Sequence, residues 1–364
     1  LPDKPAVARA RGAAAVVLDV RSGAVRAAIS VPRYDPNALA SQDAGAWRRL
    51  TTDPAAPLFN RVAAGALPPG SVFKTVSAMA LAADGRFDPH EEFFCQGYLH
   101  SPDRLRCLIF TKYGVGHGAT QLADAIKRSC NVYFFHGARI VGPEAICRWA
   151  QAFGFGRPTG IDLPGESPGN LMTPQNVRQT ERHPWRPGDT PRLAIGQTTL
   201  LATPLQVARL MAAVGNGGTL VTPHVVAGFG PSFVGEPATR PTIASAPTSG
   251  RVPGLTRESL QIVRSGLRQV VEEPHGTGHR TVYLKAVAVA GKTGTAEVGR
   301  GKPPHAWFAG YVPADEPRYA FAVVVEHGGS GGRAAGPVAR ALVEKMLRLG
   351  YFDGATRSLN VAAQ

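Results

Sequence analysis

Two short apolar runs, residues 14–20 and 24–30, flank the polar triplet Arg21-Ser22-Gly23 and predict a β-hairpin near the start of the chain. A polar, proline-containing stretch follows, to about Pro69. From Ser71 onward, Val72, Phe73, Val76, Met79, Ala80 and Ala83 recur at the spacing of one helix face, and Gly85 ends that helix. Residues 88–119 are loop-rich, and two helices are expected over 120–139 and 143–153. The many Gly and Pro of 155–192 predict a long irregular excursion. Thr203 caps a helix with Pro204 at its first position and Gly215 just past its end. Residues 228–254 are weakly patterned. Leu260, Val263, Leu267, Val270 and Val271 then line one face of a further helix. Val287 and Val289 alternate into Gly291, and Tyr319, Phe321, Val323 and Val325 alternate with a period of two, so both segments predict strands. A last helix is expected over 338–349, with a frayed tail after Phe352. Strands at both ends of a helical middle predict an α/β (α+β) fold. One sheet is drawn from the N- and C-terminal parts, and an all-helical lobe is inserted between them.

Composition changes this picture little. Hydrophobic residues make up 44% of the 364, enough for one large core or a core with a small satellite lobe. Lys and Arg number 40 against 26 Asp and Glu, a net charge of +14 that suits an anionic polymer, an anionic lipid or simply a solvated surface. Nucleic acid is not expected: there is no zinc-finger array, RNP-like aromatic motif or basic run. No stretch approaches the roughly 20 apolar residues of a membrane span, and no signal peptide is visible. There are 4 Cys, a number that decides nothing about compartment until their positions are considered.

Three elements carry candidate chemistry. The first is Ser71-Val72-Phe73-Lys74, preceded by Leu67-Pro68-Pro69-Gly70. Residues three apart share a helix face, so a Lys74 amine depressed by burial can serve as base for the Ser71 hydroxyl. The helix N-terminus adds backbone N–H groups suited to a developing oxyanion. The plain alternative is a capped helix with a surface lysine. The second element, Ser129-Cys130-Asn131, pairs a hydroxyl with a carboxamide that can relay a proton and hold a substrate amide; alone it reads as a polar turn. The third is Lys292-Thr293-Gly294-Thr295, after the apolar run 286–290. A strand edge there lets an acyl-peptide pair alongside, with Lys292 and Thr293 on a carboxylate, Gly294 leaving room for approach, and the Thr295 N–H completing an oxyanion hole with that of Ser71. Alone it reads as a strand-end turn.

In this order, on helix, helix junction and strand, the three resemble the motif set of β-lactamases and penicillin-binding proteins. The resemblance extends over nearly the whole chain. Ser30-Val31-Pro32-Arg33-Tyr34-Asp35-Pro36-Asn37 and Pro57-Leu58-Phe59-Asn60-Arg61 are similar to stretches of class B penicillin-binding proteins. The elongation-type penicillin-binding protein 2 group is resembled at Thr159-Gly160-Ile161-Asp162-Leu163, Trp185 with Gly188-Asp189-Thr190, Ile195-Gly196-Gln197 with Thr203-Pro204-Leu205-Gln206, and His305-Ala306-Trp307-Phe308. The resemblance implies a serine β-lactamase/transpeptidase-like fold with an antiparallel sheet, over a domain at 11–352 flanked by tails at 1–10 and 353–364. It implies a peptidoglycan D,D-transpeptidase that β-lactams inhibit, with Ser71 the acylated nucleophile, Lys74 its base, Ser129 and Asn131 the second motif, and Lys292 with Thr293, Gly294 and Thr295 the third. The implied setting is the periplasmic face of a bacterial inner membrane. Implied partners are stem peptides and, through an anchor and pedestal outside this sequence, a glycan polymerase and elongation complex. One departure is Thr198, where the group has Gly after the Ile-Gly-Gln segment. The competing activities are a D-alanyl-D-alanine carboxypeptidase, a penicillin-sensing domain and a β-lactamase. Glu166, in Leu163-Pro164-Gly165-Glu166, matches the transpeptidase pattern and not a water-activating loop.

Cys95, Cys107, His117 and Cys130 fall between the first two motifs and have the ligand types of a closed structural Cys₃His zinc site, although no CxxC spacing is present. Relatives with zinc on Asp, Asp, His and Cys are resembled here, with Cys95 and Cys107 standing for the two Asp. The alternative is a Cys95–Cys107 disulfide, with Cys130 a small buried residue and His117 a loop histidine. Cys147 is expected in the core. A metal on Cys130 would brace Ser129 and Asn131 without taking part in the chemistry.

Overall fold

The computed structural model describes residues 11–41, 43–197, 199–226, 249–299 and 301–352. The expected tails at 1–10 and 353–364, most of the weakly patterned 228–254 segment, and Thr198 lie outside the described residues.

The hairpin is present as β1 (Ala13–Asp19) and β2 (Val25–Val31), turned at Gly23 with φ 81°. Near the end of the chain, β7 (Ala290–Ala296), β8 (His305–Val312) and β9 (Tyr319–Val325) follow one another. Together they form a sheet of order β2-β1-β9-β8-β7 in which every described neighbour pair is antiparallel. The first strand of the chain thus pairs with the last, within the single sheet drawn from both ends that the sequence pattern predicts. Short pairs β3 (Phe93–Cys95) with β4 (Gly118–Thr120), and β5 (Thr219–Leu220) with β6 (Gly250–Arg251), lie outside this sheet.

The helices are α1 (Pro36–Ala40) and α2 (Ala44–Thr52), then α3 (Lys74–Ala83), α4 (Leu108–Tyr113), α5 (Leu122–Lys127) and α6 (Asn131–Ala152). After them come α7 (Val177–Glu181), α8 (Asp189–Ala194), α9 (Pro204–Gly215), α10 (Arg257–Glu272), α11 (His279–Val282) and α12 (Gly331–Arg348). Both α9 and α12 pack on β8 and β9, and every residue of those two strands is buried, so both faces of the sheet are covered there, while β2 has no buried residue. α10 lies against β7, α5 and α3, joining the sheet to the helical lobe. Thr203 and Gln206 form a reciprocal capping box that fixes the start of α9. The buried pair Arg61–Glu326 (2.9 Å) ties the Pro57–Arg61 stretch to the residue after β9.

Five expectations need correction. The helix expected over 120–139 is two helices, because Ser129 adopts a left-handed φ of 55° between α5 and α6. α6 continues past the expected break at 143 and only kinks at Gly142, φ 80°. β8 was not expected, because a strand buried on both faces shows no alternation. β7 contains the Lys-Thr-Gly-Thr segment itself, not the apolar run before it, and α12 begins at Gly331, not at 338.

Candidate active site and metal centre

Ser71 lies on a 3₁₀ turn, Gly70–Phe73, that leads into α3. Gly70 has a φ of 54°, and a Cβ there would stand 2.7 Å from the Thr295 carbonyl oxygen. The turn is held from behind by Gly196, whose carbonyl accepts from the Gly70 N–H at 3.0 Å. Gly196 is itself left-handed (φ 68°), and a Cβ on it would approach the Gly70 oxygen to 2.2 Å. These close approaches explain why glycine stands at both positions.

A cleft of about 740 Å³ opens over this turn. It is lined by Ser71, Ser129, Asn131, Thr293 and Thr295 of the expected set, and by His117 of the metal set. Lys74, Lys292 and Gly294 are fully or largely buried behind its wall.

Lys74 joins the first motif to the second. Its Nζ donates to the Ser129 carbonyl (2.8 Å), the Ser129 Oγ (3.1 Å) and the Asn131 Oδ1 (2.6 Å). An ammonium has three protons, and these three acceptors use them all. The expected Ser71–Lys74 contact is therefore a shared location, with no hydrogen bond between the two side chains among the described residues. Burial pushes the Lys74 amine down to about 8, against a smaller opposing effect of Cys107 and Cys130. Lys292 is likewise lowered, first by burial and then by the charge of Lys74, and its Nζ donates to the Thr293 carbonyl at 3.2 Å. Two buried amines this close cannot both carry charge cheaply without an anion nearby.

β7 is the sheet edge that borders the cleft. Thr293 Oγ1 bonds Thr277 Oγ1 at 2.7 Å. Thr295 accepts the Gly331 N–H on its Oγ1 (3.2 Å) and the Gln197 Nε2 on its carbonyl (3.3 Å). A Cβ on Gly294 would meet Val72, Pro69 and Trp307 at 2.8–2.9 Å, so the glycine lets the Ser71 turn pack onto the strand. Glu166 has its carboxylate engaged by the N–H groups of Thr159 (2.7 Å) and Gly160 (3.1 Å).

Behind the second motif, Cys95, Cys107, His117 and Cys130 converge, their ligand atoms all within 4.8 Å of one another. Successive separations are 3.7 Å (Cys95–Cys107), 3.6 Å (Cys107–Cys130) and 3.6 Å (Cys95 to His117 Nδ1). With metal–sulfur distances of about 2.3 Å, the edge of a tetrahedron is about 3.8 Å, so the donor set has the dimensions of a four-coordinate zinc site. All four cysteines are free, so the alternative Cys95–Cys107 disulfide is not formed. The Cys107 and Cys130 sulfurs accept the N–H groups of Val132 and Tyr133, at 3.4 and 3.5 Å. Hydrogen bonds from Cys107 and Cys130 hold the Cys95 thiol low, while burial drives Cys130 well up. The three thiols thus share one easy ionisation, and a cation is what would let the others follow. The segment between Cys107 and His117, mostly α4, contributes Leu108, Ile109, Lys112, Tyr113 and Gly116 to the cleft wall. Cys147 is buried elsewhere, as expected, and burial raises it to about 12.

The cleft also contains residues to which no role was given from the sequence: Gln197, Thr277, His275, Arg128, Lys112 and Glu297. Arg128 immediately precedes the second motif, and Glu297 continues the period-two register of Thr293 and Thr295, which are the signals that could have found them. Thr277 and His275 lie on the turn after α10 and carry no such signal.

An antiparallel sheet with a hydroxyl on a turn against its edge, and a buried amine beneath, is the arrangement of the penicillin-recognising serine acyl-transfer proteins. The family described as the penicillin binding protein transpeptidase domain matches residues 13–344, and the chain belongs to it. The peptidoglycan D,D-transpeptidase MrdA of Haemophilus influenzae is 33% identical over 352 residues, 92% of this chain and 52% of its own length. Among solved structures, the Pseudomonas aeruginosa PBP2 in complex with WCK 5153 is 31% identical, with a TM-score of 0.81 over 98% of this chain and 75% of that one. The Helicobacter pylori PBP2 in complex with MreC is 28% identical, with a TM-score of 0.81 over 95% of this chain and 62% of that one. The chain spans about half the length of the curated relatives it matches.

Proposed function

We propose that residues 11–352 are the transpeptidase domain of an elongation-type penicillin-binding protein 2 and cross-link peptidoglycan stem peptides. The observation that carries the reading is the Lys74 amine, buried, lowered to about 8 and bonded to Ser129 and Asn131 behind a cleft that contains Ser71. The donor peptide lies along the β7 edge, its terminal carboxylate towards Thr293 with Lys292 beneath, where an anion relieves the crowding of two buried amines. In its neutral form Lys74 takes the proton of Ser71 as Oγ attacks the carbonyl of the penultimate D-Ala. The N–H groups of Ser71 and Thr295 hold the oxyanion. The C–N bond breaks, and the leaving D-Ala amine receives the proton through Lys74 and Ser129. An acceptor amine then attacks the ester, gives up a proton along the same route and restores Ser71. β-Lactams enter by the same first step and remain attached.

Glu166, committed to two backbone N–H groups, offers no second water-activating base, which disfavours a β-lactamase. The thiol–imidazole cluster holds structural zinc in this reading: Cys95, Cys107, His117 and Cys130 are its ligands and Cys130 fixes Ser129 and Asn131. The whole protein acts at the periplasmic face of the inner membrane, with a glycan polymerase and elongation proteins as partners, a setting supported by the Helicobacter pylori relative's complex with MreC. No described helix is long and apolar enough to cross a membrane. The test is mass spectrometry of products from a synthetic pentapeptide ending in D-Ala-D-Ala with an amine acceptor. A cross-linked product supports transpeptidation. Shortened peptide alone supports the carboxypeptidase, and penicillin binding without turnover the sensor.

A further inference from the structure

Among the described residues that line the cleft, Glu297 is the one carboxylate. The fixed cations there are Lys112 and Arg128, with His117 and His275 also facing the space. Arg128 is already committed, donating to the carbonyls of His117 (2.8 Å) and Ala119 (3.2 Å) and lying 3.6 Å from Asp124. Glu297 is exposed, and among the described residues no ion pair holds it. It is the first residue after β7, two positions beyond Thr295, and it lines the cleft together with Thr293 and Thr295.

This position gives the carboxylate a place along the substrate, on the reading of the cleft as a transpeptidase site. The donor's terminal carboxylate lies towards Thr293 and its reacting carbonyl at the Thr295 N–H. The rest of the donor therefore runs onward past the end of β7, where Glu297 lines the cleft two residues beyond Thr295. Paired strands place opposite and diagonal side chains within about 8 Å, and Glu297, just past the strand's end, is within reach of the donor side chains one and two residues upstream of the acyl residue. A long side chain ending in an ammonium there finds an unpaired carboxylate. A carboxylate in the same place meets repulsion.

We propose that Glu297 is a specificity-determining residue that selects donor peptides bearing a free cationic amine one or two residues upstream of the acyl residue. The same contact makes the protein discriminate among β-lactams by the charge of the acyl side chain, because that side chain hangs where the donor peptide continues. The pair is solvent-exposed, so the effect on each rate is about two- to fivefold and weakens with salt.

The test uses three penicillins that share a phenylacetyl-type side chain and differ at its α-carbon: unsubstituted, amino and carboxylate. Second-order acylation constants are measured for the wild type, Glu297→Gln and Glu297→Lys. The readout is the amino-to-carboxylate ratio, in which any effect common to both compounds cancels. The expected ratio is highest in the wild type, about two- to fivefold lower in Glu297→Gln and lower again in Glu297→Lys, with the differences shrinking at high salt. Ratios equal in all three proteins, while all three penicillins acylate Ser71, overturn the role of Glu297 and leave the transpeptidase reading standing. No acylation by any of the penicillins overturns both.

Discussion

The burial of Lys74 sets a pH limb on acylation. The ordinary lysine value of 10.5 falls to about 8 because the amine is fully buried. A base must be neutral, and the neutral form of an amine is populated above its pKa. At pH 7 a group of pKa about 8 is about 10% neutral, whereas one near 10.5 is about 0.03% neutral, a gain of about 300-fold in competent enzyme. The acylation constant for benzylpenicillin should rise about tenfold per pH unit below about 8 and level off above it. Lys74→Arg keeps the charge but cannot give up its proton, so acylation should fall by several orders of magnitude across the whole range. Fluorescent-penicillin gels from about pH 6 to about pH 9 measure both. A flat profile, or a Lys74→Arg variant within about threefold of wild type, refutes the reasoning.

A Cβ at Gly294 would meet Val72, Pro69 and Trp307 first, at 2.8–2.9 Å, so Gly294→Ala should lower stability by about 1–3 kcal/mol and slow acylation by displacing the nucleophile turn. Gly85→Ala, with nothing within 4 Å, is the control, and equal melting temperatures for the two variants contradict the packing role. Metal analysis with a thiol count should give about one zinc per chain, lost in Cys107→Ala together with slower penicillin acylation. Metal-free wild type with unchanged activity contradicts the structural zinc.

Much of this was legible from residue spacing, and the rest failed for identifiable reasons. Apolar periodicity located the hairpin, the helix after Ser71 and the strand at 319–325, and the three motifs fall on the elements that bring them to one site. The join at Ser129 was invisible because a left-handed φ on a non-glycine residue is imposed by its surroundings, here the cluster around Cys130 and the Lys74 bonds. β8 hid because both of its faces are covered. Lys292 was expected on the substrate carboxylate, and the period of two buries it behind the cleft-lining face of Thr293 and Thr295, beneath the place the carboxylate takes in the proposed reading. The packing of Gly294 against Pro69 and Val72 was not legible, because those residues lie more than 220 positions earlier in the chain. The four metal-site residues were chosen by ligand type, by position near the first two motifs and by resemblance, and convergence of their donor atoms within 4.8 Å is a tertiary fact that no spacing contains.

The central claim is that Ser71 is acylated, and intact-mass spectrometry after a brief pulse of penicillin tests it most directly. The account predicts one adduct per chain of the antibiotic's full mass, located by peptide mapping on Ser71, and none on a folded Ser71→Ala variant. An adduct that persists in Ser71→Ala, or a wild-type protein that stays unmodified, would contradict it.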